Sequence, residues 1–178
     1  MSRKMEVLLS VVMAAALLLG MALPARAQAD RIPVSSYEYD CFTGVETEWA
    51  AGQVYHMRNV GHTNINVSSS PELNGVNTTI ADAEFNLSTG YVVIRGTMSF
   101  KPDGIDGTWE GSWQFISNNG VLKGTAVGHG TGELFGKTLF LNIYDAPYDP
   151  VIETMCAGIG APEGIVVTEG YILGSGAP

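Results

Sequence analysis

The chain alternates between apolar and polar side chains with a period of two over most of its length. Ala81, Ala83, Phe85 and Leu87 fall on one side of Asp82, Glu84 and Asn86, the spacing of a half-buried β-strand. The same alternation puts Val92, Ile94, Met98 and Phe100 together with Gly96, and sets Arg95, Thr97 and Ser99 against them. Further on, Trp109, Gly111, Trp113 and Phe115 oppose Glu110, Ser112 and Gln114. Leu122, Gly124, Ala126 and Gly128 then bring small residues alongside that aromatic face, and Lys137 to Tyr144 follows as another strand.

Turn residues separate these stretches. Asn74-Gly75, Ser88-Thr89-Gly90, Asp103-Gly104, Asp106-Gly107 and Asn118-Asn-Gly120 are all hairpin or loop signals. Earlier, Val34 to Phe42 reads as a first strand, with Tyr37 and Tyr39 on one side and Glu38 and Asp40 on the other. Val45 to Gly52 reads as irregular, with Trp49 as an apolar plug. Gln53 to Val60 and Thr63 to Ser68 read as two strands broken at Gly61. The stretch from Asp145 to Pro162 reads as loop and Ile165 to Leu173 as the last strand, with tails over Gln28–Pro33 and Ser175–Pro178. No helical period is sustained after the first residues. About eight strands with short Gly-rich turns predict an all-β fold, a single antiparallel barrel, and closure removes exposed strand edges.

The first residues have another character. Arg3 and Lys4 precede an apolar run from Val7 to Leu23, and Ala25-Arg26-Ala27 is a small-x-small cleavage site. This is the pattern of a signal peptide over residues 1–27, leaving a barrel domain over 28–178. A run of about 17 residues also suits a retained anchor. Cleavage points to a secreted or periplasmic protein with no stable membrane insertion.

The whole chain carries a formal charge of −9. Nine Lys/Arg less Arg3, Lys4 and Arg26, against eighteen Asp/Glu less Glu6, leave the mature part at −11. Such a surface repels phosphate backbones, which disfavours nucleic acid as a partner. Two cysteines remain, Cys41 and Cys156, and in an oxidising compartment they are expected to pair.

Gly107-Thr-Trp-Glu-Gly-Ser-Trp113 and Gly128-His-Gly-Thr-Gly-Glu-Leu-Phe-Gly136 resemble the bacterial members of the allene oxide cyclase-like barrel group, which includes dirigent-type barrels. Those chains carry a comparable G-x-W-x-G strand and a G-x-G-x-L-x-G segment. The resemblance covers roughly residues 76–173. It implies an eight-stranded antiparallel barrel with a central apolar cavity. Some members are cyclases or guide radical coupling, and many bacterial ones have no known activity.

Catalytic motifs are absent. There is no G-x-S-x-G elbow, P-loop or dinucleotide fingerprint, so neither a catalytic residue nor a cofactor is assigned. His56, His62 and His129 follow no metal-ligand spacing, and no metal is expected. Arg95 and Glu110 are expected to form a cross-strand ion pair. Trp109, Trp113, Phe115 and Tyr144 are the candidate ligand-binding residues, since pocket walls are mostly apolar. The leading expectation is a non-enzymatic barrel that binds a small apolar ligand or a partner. A cyclase or isomerase is the alternative, and a structural envelope protein the third.

Overall fold

The computed structural model describes residues 30–118 and 120–174. The segment read as an export signal lies outside them. Eight strands form one closed antiparallel barrel in which each strand pairs with its neighbours in sequence. They are β1 (Arg31–Ala51), β2 (Val54–Ser68), β3 (Gly75–Asn86), β4 (Tyr91–Pro102), β5 (Trp109–Asn118), β6 (Val121–Gly130), β7 (Thr138–Asp145) and β8 (Ala161–Leu173). β1 and β8 close the ring, with Arg31 opposite Leu173 and Tyr39 opposite Ile165.

The expected alternation holds on β3 to β6. Ala81, Ala83, Met98, Phe100, Trp109 and Ala126 are buried inside. Gly96 lies under the indole of Trp113, and a Cβ there would come within 2.8 Å of Trp113 Cε2 and 2.5 Å of the Ile80 carbonyl oxygen. On β6, a Cβ at Gly124 would clash with the Phe115 ring at Cδ1, so the large-against-small packing read from the sequence is physical. Leu87 is an exception, exposed in the turn after β3.

Four other expectations are corrected. The residues from Val45 to Ala51 continue β1, and Trp49 is exposed rather than a plug. Its ring stacks on His56 at 4.8 Å, with the Arg58 guanidinium 5.4 Å from the indole centroid. The two strands read around Gly61 are one strand, β2, because Gly61 lets Thr43 approach; a Cβ there would sit 2.7 Å from Thr43 Oγ1. Arg31 to Pro33 pair with Tyr171 to Leu173 instead of forming a tail. The β7–β8 connection holds a short helix, α1 (Val151–Met155), where loop was expected.

The expected Arg95–Glu110 pair does not form. Arg95 stands opposite Gln114, and Glu110 stands opposite Ser99, whose hydroxyl donates to it at 2.8 Å. A four-residue offset along the strands separates the two charges.

The barrel has a closed floor. Two 3₁₀ turns, Pro71–Leu73 and Gly132–Leu134, insert Leu73 and Leu134 beneath Phe100, Trp109, Leu139 and Ile172. Trp109 is fully buried, and its Nε1–H donates to the Glu72 carbonyl at 2.9 Å. Exposure rises along β4 and β5 towards the opposite end, where Val92, Ile94, Trp113 and Phe115 are only half-buried. That end is the mouth.

Cys41 and Cys156 form a disulfide with Cα atoms 5.4 Å apart. With Ile152 and Ile165 they make a second buried cluster, which Tyr39 and Ala146 pack against. Cys41 alternates with the inward Asp40, so this cluster lies outside the wall and ties α1 to β1 and β8. The sequence separation is 115 residues. Closing so long a loop in the unfolded chain is worth about 4–5 kcal/mol in the chain-entropy account.

The two tryptophans of β5 should therefore respond differently to truncation. Trp109→Ala is expected to cost roughly 3–5 kcal/mol, as for a large side chain lost from a packed core. Trp113→Ala should cost clearly less. Denaturant melts of the two variants check this, and equal losses would mean that floor and mouth are packed alike.

Candidate functional site

The interior is divided lengthwise. β4 to β7 line one side with Met98, Phe100, Trp113, Phe115, Ala126, Leu139, Leu141 and Ile143. β1 to β3 line the other with Glu38, Asp40, Asn64, Asn66, Asn77 and Thr79. Between them lies a narrow cavity of about 30 Å³, measured as the space open to the centre of a water molecule. That is room for about two or three waters.

The polar side is a consequence of register. On β2, Met57 pairs with Ala83 but Val60 pairs with Ala81, so β2 carries one extra residue. Asn59 sits in this bulge at φ 52°, a left-handed conformation that asparagine tolerates better than most residues. Its backbone N–H donates to Asp82 Oδ1 at 3.2 Å. One extra residue inverts the facing of everything after it. Val60, His62, Asn64 and Asn66 point inward, and Ile65 and Val67 point away. On β1, Ser36, Glu38 and Asp40 take the inward positions, and Tyr37 is exposed.

Most of these groups find partners. Ser36 Oγ and Thr168 Oγ1 are hydrogen-bonded at 2.7 Å. Asn64 donates through Nδ2 to the Glu38 carboxyl. His62 Nδ1 lies 2.9 Å from Asp40 Oδ1 and 3.0 Å from Glu163 Oε2. Glu163 occupies a second bulge, because Pro162 pairs with Cys41 and Gly164 with Asp40. The oxygen atoms Asn64 Oδ1, Asn66 Oδ1, Asn77 Oδ1 and Thr79 Oγ1 are buried and have no partner among the described residues.

The environment moves the titrations. Burial, then the neighbouring Asp40 charge, push the Glu38 carboxyl up to about 7, against the hydrogen bond from Asn64 and the charge of His62. Burial also raises Asp40, against its bond to His62. Burial works to deprotonate His62, but the hydrogen bonds and charges of Asp40 and Glu163 outweigh it and raise the imidazole to about 10. His62 is thus an imidazolium clamped between two carboxylates at neutral pH. Asp40, His62 and Glu163 bring their ligand-type atoms within 4.8 Å of one another, which would suit a metal ion sterically. The ion pairing accounts for all three groups by itself.

Of the four aromatic candidates, Trp113 and Phe115 line the cavity, with ring centroids 4.8 Å apart. Trp109 faces inward too, but it is sealed into the floor below the cavity. Tyr144 pairs with Lys123 and Val167 on the outer face and is exposed, so it stands away from the cavity. His56 lies on the outside against Trp49 and beside Glu84, and His129 is exposed. The polar residues of β1 and β2 were missed as site candidates. The one sequence signal for them was the alternation of Glu38 and Asp40 with the tyrosines.

Fold and site together define a small closed antiparallel barrel with an interior that is half apolar and half acidic and amide-lined. Comparison with protein-family models, with curated proteins and with solved structures returned no match. The disulfide hints at an extracytoplasmic location. Among the described residues no helix is long and apolar enough to cross a membrane.

The raised Glu38 sets a pH dependence. Between its ordinary value of 4.5 and about 7 the folded state holds a proton that the unfolded state has lost. Stability should therefore fall as pH rises through that window and then level off for this group, by about 3 kcal/mol at most. His62 acts in the next window. Its contribution is full below its unfolded value of 6.5 and is lost as pH rises towards about 10. Glu38→Gln should keep the Asn64 bond, flatten the lower window and stabilise the protein above pH 7. Urea melts from pH 4.5 to 8 measure it. A variant with the parent's slope across that window would show that Glu38 ionises freely in the fold.

Proposed function

We infer that this protein is an exported barrel that binds a small amphipathic molecule within its cavity. One observation carries the reading: the cavity joins an apolar wall to a buried polar wall on which four oxygens lack partners among the described residues. Unpartnered buried acceptors are costly to a fold, about 1–3 kcal/mol each, and a ligand that hydrogen-bonds to them offsets that cost. A purely structural barrel has no use for them and would be more stable with apolar side chains there. The original expectation of an apolar ligand is thereby refined, because the polar wall calls for a polar end. The eight-stranded closed barrel agrees with the resemblance to the allene oxide cyclase-like group. The signal-like first residues and the disulfide favour a secreted or periplasmic location.

A second reading has its own observation. Glu38 is buried in the cavity with a carboxyl raised to about 7, which suits a general acid or base at neutral pH. With Asn64 bonded to it, Glu38 could exchange a proton with a bound substrate in an isomerase or cyclase. Turnover lost in Glu38→Gln with ligand affinity retained would favour this reading over binding alone.

Binding itself is tested by filling the cavity. Ala126 lies on the apolar wall beside Trp113 in register. Of short-chain alcohols, ketones, amines and acids, at least one class should raise the melting temperature of the parent and change its tryptophan fluorescence. Ala126→Leu should remove both responses while it stays folded by circular dichroism. A parent that answers to none of the four classes would overturn the binding reading.

A further inference from the structure

We propose that the cavity holds a primary ammonium head on a slender apolar body, with the oxygens of Glu38, Asp40, Asn64, Asn66 and Asn77 as its acceptors. This rests on the reading of the barrel as a small-molecule binder and names the chemistry of its ligand.

Four cavity residues carry a buried oxygen with no partner among the described residues. Asn64, Asn66, Asn77 and Thr79 are each no more than 6% exposed, and all four line the cavity. The fully buried unpartnered atoms on the three asparagines are carbonyl oxygens, which only accept, while the amide N–H groups of Asn66 and Asn77 also remain free among the described residues. Asn64 is fixed in that sense, because its Nδ2 is engaged by Glu38. A ligand that satisfies this wall must bring hydrogen-bond donors.

Charge narrows the class. Glu38 and Asp40 line the cavity, and among the described residues no Lys or Arg does. The nearest cation, His62, is already held by Asp40 and Glu163. A carboxylate or phosphate head would meet the like charge of Glu38 and Asp40, with only amide and hydroxyl donors and no cation of its own to offset it. A hydroxyl offers one donor, whereas a primary ammonium offers three together with a positive charge. The apolar wall, with Met98, Phe100 and Ile143, is suited to the body of such a molecule. The narrow cavity of about 30 Å³ matches a head of ammonium size, and the half-buried Trp113 and Phe115 mark the side toward which a thin chain would extend.

The same contacts couple binding to pH. Glu38 faces Asp40 on its own strand, His62 and Asn64 on β2, and Val166 opposite on β8, while Glu163 approaches from β8 through His62. A cation beside Glu38 favours its ionised form, so an ammonium should expel the Glu38 proton wherever the free protein still carries it. Alkylammonium groups stay charged to about pH 10, as the lysine side chain does. Affinity should therefore rise with pH through 7.

The experiment compares n-butylammonium, n-butanol and butyrate on the mature chain, with calorimetry and melting temperature as readouts. Butylammonium should bind most tightly, and butyrate should not bind. Its affinity should fall about tenfold from pH 8 to pH 6 as Glu38 takes up its proton. Glu38→Gln should weaken it by at least about tenfold and remove the pH dependence. The pH series on the parent needs no variant and stands if Glu38→Gln fails to fold. Butanol or butyrate binding as tightly as the amine would overturn the ammonium assignment and leave the binding reading intact. If none of the three binds, the ammonium assignment falls, and a short-chain ketone run alongside that also fails to bind overturns the binding reading with it.

Discussion

One extra residue in β2 decides what the interior of this barrel is. The bulge at Arg58–Asn59 lies between Met57, opposite Ala83, and Val60, opposite Ala81. Without it, Gly61, Thr63 and Ile65 would face the cavity in place of His62, Asn64 and Asn66. With it, His62, Asn64 and Asn66 turn inward beside Glu38 and Asp40. The bulge is held by Asp82, which accepts from the Asn59 backbone, and by Glu46, which accepts from the Asn59 side chain. Bulges recur at barrel rims and near functional sites because they re-aim side chains in this way.

Electrostatics then follow from placement. Asp40 and Glu163 share one imidazolium, and the more deeply buried carboxyl of Glu38 lacks a cation of its own. Its ionisation is held back until neutral pH, so the cavity changes charge in the range where many environments differ. The bulge at Glu163 belongs to the same arrangement, since it allows β8 to supply the second carboxylate to His62. The disulfide fixes the outer side of the same corner. Cys41 follows Asp40 in sequence and faces the other way, and its bond to Cys156 pins α1 over the place where β1 meets β8.

The fold was largely legible in the chain. Alternation over β3 to β6, with Gly and Asn-Gly turns between, gave the strand count and the inward set from Ala81 to Ala126. The pairing of Cys41 with Cys156 followed from there being two cysteines. The cavity was half legible. Trp113 and Phe115 were found because they share a face with small neighbours. Trp109 has the same phase, and nothing in the sequence says that Leu73 and Leu134 seal it off. Tyr144 belongs to a strand whose inward set is Leu139, Leu141 and Ile143, and that phase excludes it. The polar wall was hidden by two things. A bulge breaks the period on which the sequence argument rests. On β1, the tyrosines face out and the acids in, with Tyr39 covered by the cluster around the disulfide, an inversion of the usual preference.

The central claim is the facing of β2 beyond the bulge. Single cysteines at Asn66 and Val67, in protein with the native disulfide intact, report it through their rates of reaction with a soluble thiol reagent. The account predicts that Asn66→Cys is strongly protected and that Val67→Cys reacts nearly as fast as an unfolded thiol. Fast labelling at position 66 with protection at 67 would contradict it, and Asn64 and Asn66 would then lie on the outside of the barrel.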